Sequence, residues 1–345
     1  MRYTPPFSIT ADILNQVANI SEQIGMLNAQ AFVVSPQLRK QNRIKTIAGT
    51  LAIEGNTLTE QQITAIVDGQ PVMGSMREIA EVQGAIQAYD ALGIFSSSSI
   101  TDLLQAHRLM MSGVLENAGT FRQQAVGIHK GNEVQHIGPP AHQVPGLMAD
   151  LIKWATTTQD HPLIVSCVFH YELEFIHPFM DGNGRMGRLW QTLILSEWQP
   201  LFLSLPLESI IKNKQQAYYQ ALEKADEQAD SAPFIQYIIR ALTETLTQNA
   251  PVNAPVNAPV NAPVNAPIHV PVIIKGLKTP QAILALIKQN NYITRQAMAE
   301  LINKDVRTIS RAITKLQQTG TLTRVGSAKT GYWKIVTDSR SSNPK

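Results

Sequence analysis

Apolar residues recur at helical spacing along most of the chain up to residue 249. The pattern predicts helices over 13–24, 61–67, 80–92, 100–115, 144–156, 163–176, 185–197, 212–227 and 233–246. One stretch breaks it. Residues 125–143, AVGIHKGNEVQHIGPPAHQ, hold short β-leaning pieces around a Lys-Gly-Asn turn and stop at Gly-Pro-Pro, which predicts a hairpin. A smaller anomaly lies at Thr50-Leu-Ala-Ile-Glu-Gly-Asn56. It reads as a helix end with Gly55 and Asn56 as the left-handed cap. Yet Glu54 sits where the helix macrodipole disfavours an acid by ~0.3–1 kcal/mol.

A boundary follows. Residues 250–265 repeat Ala-Pro-Val-Asn four times. Proline at every fourth position removes backbone donors and fixes φ, so neither a helix nor a central strand can pass, and a semi-extended spacer is expected. Beyond it the pattern predicts helices over 281–289, 295–302 and 305–318, then strands over 321–325 and 332–336 around the turn-rich GSAKTG.

Charge supports two bodies. The net charge is only +3, but residues 275–345 carry 13 basic and 3 acidic side chains, leaving 16 basic and 23 acidic side chains in the rest. The basic segment is thereby a candidate for binding DNA. Hydrophobic residues make up 44% of the 345-residue chain, and no apolar run is long enough to span a bilayer. The first residues, MRYTPPFSITADIL, lack the apolar core of a secretory signal, so a cytoplasmic protein with no membrane partner is expected. Cys167 is the single cysteine, which excludes an intramolecular disulfide and a cysteine-built zinc site. It lies on an apolar helix and is expected to be buried packing.

The chemistry concentrates in residues 177–188, HPFMDGNGRMGR, a loop leading into a helix start. Asp181-Gly182-Asn183-Gly184 supplies permissive backbone, and N–H groups at the following helix start form an anion hole. Arg185 and Arg188 are three apart, hence on one face, and can reach phosphate oxygens. Asp181 can hold a Mg²⁺ that bridges phosphates, and His177 can take a proton from an attacking hydroxyl. Each residue alone has an ordinary structural explanation. The ordered set of them does not.

This motif resembles the HPFxDGNGRxxR signature of the Fic (filamentation-induced-by-cAMP) family, without departure at any defined position. The resemblance implies a mainly α Fic core with a β-hairpin flap. It also implies a protein adenylyltransferase that moves AMP from ATP onto a protein Ser, Thr or Tyr hydroxyl and releases pyrophosphate. On that resemblance His177 is the general base, Phe179 anchors the loop, and Asp181 binds Mg²⁺. Gly182, Asn183, Gly184, Arg185, Met186, Gly187 and Arg188 surround the phosphates of ATP, although Met186 fills a position the family leaves open. Tyr218 of AYYQAL contacts the nucleoside, and Asp226 stands where relatives often place an Asn near the adenine. Val134, Gln135, His136 and Ile137 of the flap clamp the target segment by strand addition. The expected partners are ATP, a protein target and the chain itself by automodification, with a homodimer left open.

Thr50, Glu54 and Gly55 also resemble the family's inhibitory motif, [S/T]xxxE[G/N]. The resemblance implies that Glu54 pairs with Arg188 and so keeps ATP out of line for attack. The expected organisation is an N-terminal helical region 1–110 with its inhibitory helix at about 42–55, and a catalytic core 111–247. A linker 248–274, a domain 275–338 and a tail 339–345 follow. Three alternatives stay open: removal of AMP from a modified target, transfer of another nucleotide, and a DNA-binding regulator that uses the Fic body as a nucleotide sensor.

Residues 275–338 resemble a winged helix-turn-helix in their element order. That implies an exposed third helix presenting Arg307, Thr308, Ser310, Arg311 and Lys315, with Lys329 on the wing, to DNA. Docking of a protein partner is the competing reading for the same face.

Overall fold

Side chains that cap helices fix where most of the N-terminal elements begin. Ser35 accepts the Leu38 N–H and is followed by Pro36, which starts α2 (Pro36–Ile53). Thr59 with Gln62, and Ser75 with Glu78, form reciprocal capping boxes at the starts of α3 (Glu60–Val67) and α4 (Met76–Asp90). The computed structural model describes residues 3–29, 34–130, 133–249, 277–289, 293–325 and 332–335. The chain divides into two units, Met1–Val256 and Asn257–Lys345.

In the first unit α1 (Ala11–Ala29), α2, α3, α4 and α5 (Ile100–Met111) precede the hairpin of β1 (Gly127–Lys130) and β2 (Glu133–Ile137). The strands pair antiparallel, Gly127 opposite Ile137 and Lys130 opposite Glu133, with a register shift between Ile128 and His129. Then come α6 (Val144–Thr157), α7 (Pro162–Ile176), α8 (Asn183–Trp198), α9 (Leu207–Asn213), α10 (Gln215–Gln228) and α11 (Ala232–Asn249). One hydrophobic core draws on helices α1 through α11. The unit is mainly α. Helix α7 is apolar nearly all round and buried from Leu163 through Leu173, so it forms the centre of the core with α8 packed along it. Cys167 is fully buried there, and burial pushes its thiol up to about 12.

Several boundaries differ from the sequence pattern. The predicted helix 212–227 is two helices, because Lys214 leaves helical geometry (φ −120°, ψ 32°) between α9 and α10. Helix α2 starts well before residue 42, since its polar first half, PQLRKQNR, hides the period. Helix α8 begins at Asn183, two residues before Arg185, because Gly182 adopts the left-handed conformation (φ 86°) that releases it. Helix α11 runs to Asn249, so residues 248 and 249 are helical and not spacer.

The second unit contains α12 (Thr279–Gln289), α13 (Arg295–Ile302) and α14 (Val306–Gln318), followed by β3 (Leu322–Val325) paired antiparallel with β4 (Tyr332–Ile335). Asp305 caps α14 through the Thr308 N–H. Ile283, Ile287, Met298, Ile309, Ile313 and Trp333 form its core, and the Trp333 indole N–H donates to the Ile293 carbonyl at 3.0 Å. The Ala-Pro-Val-Asn repeat lies outside the described residues, as does Lys329. Among the described residues no helix is long and apolar enough to cross a membrane.

Helices α4 and α5 approach closely over Gly84, where an added Cβ would lie 2.2 Å from the Met110 carbonyl oxygen. Gly84→Ala should therefore destabilise the protein by ~1–3 kcal/mol despite alanine's better helix propensity. An unchanged urea midpoint would refute that packing account.

Candidate active site

Two buried helices, α7 and α8, are joined by a loop of only six residues, His177–Gly182. His177 caps α7 in the left-handed region (φ 51°, ψ 60°), a conformation that costs a non-glycine residue of order 1 kcal/mol or more. Arg122, 2% exposed, holds it there. Its Nε donates to the His177 carbonyl at 2.7 Å, and Nη2 donates to Pro139 at 2.5 Å beyond the hairpin. The Arg122 N–H donates to the Pro178 carbonyl at 2.9 Å. One buried arginine thus ties the loop to both ends of the flap.

The rest of the loop is braced from within. The Asn183 side chain accepts the Phe179 N–H and donates to the Phe179 carbonyl, both at 2.9 Å. Fully buried Phe179 stacks on His107, ring centroids 3.7 Å apart. His107 Nδ1 accepts the Gly119 N–H at 2.8 Å, so Nε2 carries the proton and donates to the Asp181 carbonyl at 3.0 Å. Burial pushes the His107 imidazole down to about 4.

The same logic fixes His177. Its Nδ1 lies 3.2 Å from the Glu174 carbonyl, which can only accept, so Nδ1 bears the proton and Nε2 keeps its lone pair. Half-buried at the mouth of the loop, that nitrogen keeps the free lone pair that a general base needs.

The start of α8 leaves backbone donors unpaired. The first bond within α8 runs from the Met186 N–H to Gly182, which leaves the N–H groups of Asn183, Gly184 and Arg185 ahead of it. Arg185 is 2% exposed, and its Nε and Nη1 are buried without a hydrogen-bond partner. Its Nη2 donates to Asp181 Oδ1 at 3.0 Å, and Nη1 lies 3.6 Å from Glu81 Oε1. Buried donors of this kind are costly unless an acceptor arrives.

Arg188 is the counterpart on the next turn. Its Nη2 donates to Glu54 Oε1 at 2.6 Å and to the Thr50 carbonyl at 3.2 Å, while Nε donates to Thr50 Oγ1 at 3.0 Å. Glu54 can reach it because α2 stops one residue earlier. Gly55 turns left-handed (φ 89°), and the N–H groups of Gly55 and Asn56 return to Ala52 and Leu51, closing the helix end. Only Gly55 of the two cap residues is left-handed. A Cβ at Gly184 would lie 2.5 Å from Glu54 Oε1 and 3.2 Å from Glu174 Oε1, so a larger residue there would push the Glu54 carboxylate aside.

Several expected site residues face elsewhere. Met186 is fully buried in the core, and Gly187 packs on His170, where a Cβ would sit 2.5 Å from the ring. Both point away from those donors because they lie on the inner face of α8. Asn183 contributes only its N–H, its amide being spent on the loop. Tyr218 is 1% exposed, its hydroxyl 3.1 Å from His170 Nε2 and 3.2 Å from Glu174 Oε1. The accessible ring of the pair is Tyr219, 47% exposed, whose hydroxyl donates to the Ile53 carbonyl at 3.3 Å beside Gln215. Asp226 is exposed and accepts the Tyr171 hydroxyl at 2.6 Å, which gives its carboxylate a structural partner. The side chains of Val134, Gln135, His136 and Ile137 lie outside the described residues. On the second unit Arg307, Arg311 and Lys315 are exposed along α14, whereas Thr308 and Ser310 are half-buried, Thr308 hydrogen-bonding to Asp305.

Arg122, His107, Tyr219, Glu81 and Arg77 were not legible as site residues. Arg77 Nη2 donates to Asp181 Oδ2 at 3.2 Å, and its Nε donates to Glu81 Oε1 at 3.3 Å. Only the placement of a cation in the first turn of α4 marks Arg77 out in the sequence.

Known proteins resemble this chain. The Fic/DOC family model matches residues 97–195. The solved structure of a Fic family protein from Desulfovibrio desulfuricans G20 is 37% identical over 98% of this chain and 100% of that one, with a TM-score of 0.69. The chain belongs to the Fic family. Fic-1 of Caenorhabditis elegans (aa134–508) is similar at 25% identity over 68% of this chain and 73% of that one, TM-score 0.55. Among characterised relatives, protein adenylyltransferase fic-1 of Caenorhabditis briggsae is 34% identical over 51% of this chain. Its length is 35% covered by the chain. Protein adenylyltransferase Fic of Culex quinquefasciatus is 30% identical over 54% of this chain, with 38% of its own length covered.

The His107 geometry has a pH signature. Its folded value lies below the ordinary 6.5, so its contribution to stability is full above pH 6.5 and is lost as pH falls toward 4. His107→Gln should flatten the fall of Tm across that window; a slope equal to the parent protein's would assign the fall to another group.

Proposed function

We propose that the chain is an ATP-dependent protein adenylyltransferase that modifies a protein hydroxyl, itself included. The observation that carries this reading is the start of α8, where three backbone N–H groups precede the first helical bond and Arg185 keeps its Nε and Nη1 buried without a hydrogen bond: an arrangement suited to phosphate. In the proposed reaction a Ser, Thr or Tyr oxygen attacks the α-phosphorus of ATP and its proton passes to His177 Nε2. The bond from the α-phosphorus to the bridging oxygen breaks, and pyrophosphate leaves. Arg185 and the N–H groups of Asn183 and Gly184 stabilise the charge that builds on the phosphate oxygens. Tyr219 is the ring available to the nucleoside, and the edge of β2 can take the target segment by main-chain hydrogen bonds.

Mg²⁺ fits one residue, Asp181, through the oxygen held only by exposed Arg77. No group of three or more acidic, histidine or cysteine ligands exists among the described residues, so nucleotide oxygens and water must complete its shell. When bound, it neutralises the phosphates and orients the leaving group.

Glu54 is proposed as the brake. A carboxylate on the Arg188 guanidinium takes the donors that would hold the γ-phosphate, and misalignment by an ångström costs orders of magnitude in rate. With radiolabelled ATP, Glu54→Gly should raise protein-linked AMP ~10-fold or more. His177→Ala in that background should abolish it. No protein-linked AMP from either the parent or the Glu54→Gly protein defeats the adenylylation reading; loss of mass from a premodified target would favour the reverse reaction.

The second unit supports a separate reading as a DNA-binding winged helix, on the exposed Arg307, Arg311 and Lys315 of α14. Duplex binding should weaken with salt, and Arg307→Ala with Arg311→Ala should lower it and reduce the salt slope by about two ions. Unaltered binding would favour docking of a protein partner by this unit.

A further inference from the structure

We propose that Arg77 occupies the divalent cation's place at Asp181 in the resting protein, so that the cation enters by displacing a guanidinium. This rests on the reading of Asp181 as the metal-holding residue.

Asp181 has two differently held oxygens. Oδ1 accepts the Gly182 N–H at 2.6 Å and Arg185 Nη2 at 3.0 Å, both from the loop and α8 themselves. Oδ2 accepts Arg77 Nη2 at 3.2 Å. The two arginines differ in freedom: the Arg185 side chain is 3% exposed and the Arg77 side chain 66%. Arg185 is built in. Arg77 can leave.

The sequence position of Arg77 argues that its charge is there for the site and not for its helix. Ser75 is the N-cap of α4, so Arg77 lies in the first turn, where the macrodipole favours anions and disfavours a cation. The cost is offset only by the two acids it bridges, Asp181 and Glu81. Glu81 is anchored in turn, since its Oε2 accepts the Asn56 side chain at 2.9 Å just past the Gly55 cap. Arg185 completes the set: its buried Nη1, without a hydrogen bond, pairs with the same Glu81 oxygen at 3.6 Å. The cluster therefore holds two acids, one built-in cation paired with both, and one removable cation.

A dication at Oδ2 requires an Mg–O distance of ~2.0–2.1 Å. A guanidinium hydrogen-bonded to the same oxygen would meet it with like charge, so the two exclude each other. Departure leaves Glu81 as a retaining partner for Arg77 within the same helix turn spacing. Metal with nucleotide thus replaces one positive charge by two, and the phosphates balance the excess.

The test is direct metal binding by the full chain. Mn²⁺ is titrated in the presence of α,β-methylene ATP and the free ion is followed by its electron paramagnetic resonance signal. Arg77→Ala should tighten Mn²⁺ binding by ~1.5- to 5-fold, the range expected for an exposed ion pair. Arg77→Lys, which keeps the charge but cannot bridge both acids, should fall between the two. Asp181→Asn should lose the site in either background. Mn²⁺ affinity that is unchanged or weaker in Arg77→Ala, with Asp181→Asn still losing it, overturns the displacement; weaker binding would place Arg77 on the nucleotide phosphates. Retention of Mn²⁺ by Asp181→Asn overturns the metal-holding reading itself.

Discussion

Arg188 carries a positive charge on a side chain that is 1% exposed, and a charge so buried must be paired and hydrogen-bonded to be tolerated. Everything around it follows from meeting that demand. Thr50 supplies a hydroxyl and a carbonyl, and Glu54 supplies the counter-charge. These come from the last turn of α2, so α2 must end against α8 at a fixed height and rotation. The helix end is then locked from other sides. Gln215 and Tyr219 of α10 donate to the Ile53 carbonyl, and Asn56 reaches Glu81 of α4. A carboxylate that looks misplaced in its own helix is the partner that the buried guanidinium needs.

The loop between α7 and α8 shows a different economy. The atoms proposed to act, the Nε2 of His177 and the first N–H groups of α8, are few. Bracing falls to other groups: Arg122 on the His177 carbonyl, His107 on the Asp181 carbonyl, and Asn183 across the turn to Phe179. Left-handed backbone at His177 and Gly182 is what aims the loop outward while both flanking helices stay buried. The apolar character of α7 and the polar loop at its end are therefore parts of one arrangement: the core holds the helices so that the loop can remain strained and open.

Much of this was legible beforehand. The helical period located most of the helices of the first unit, the turn chemistry located the hairpin, and HPFMDGNGRMGR located the loop between α7 and α8. The position of Glu54 against the macrodipole is accounted for by its pairing with Arg188. Legibility failed where a residue's role depends on which face meets which neighbour. Tyr218 and Tyr219 are adjacent letters, yet one is sealed against His170 and the other is half-exposed beside the end of α2. Met186 and Gly187 sit inside the motif but point into the core. Arg122 and His107 lie 55 and 70 residues before the loop they hold, with no local pattern to connect them.

The sequence by itself determined the mainly helical architecture, the division of charge between two units and the identity of the loop, because periodicity, capping residues and proline act over a few neighbouring positions. Only the tertiary structure decided which donors remain unpaired, which tyrosine is accessible and which cation rests on Asp181. Those outcomes depend on burial and on hydrogen bonds between groups distant along the chain, and no local rule of residue type or spacing encodes them.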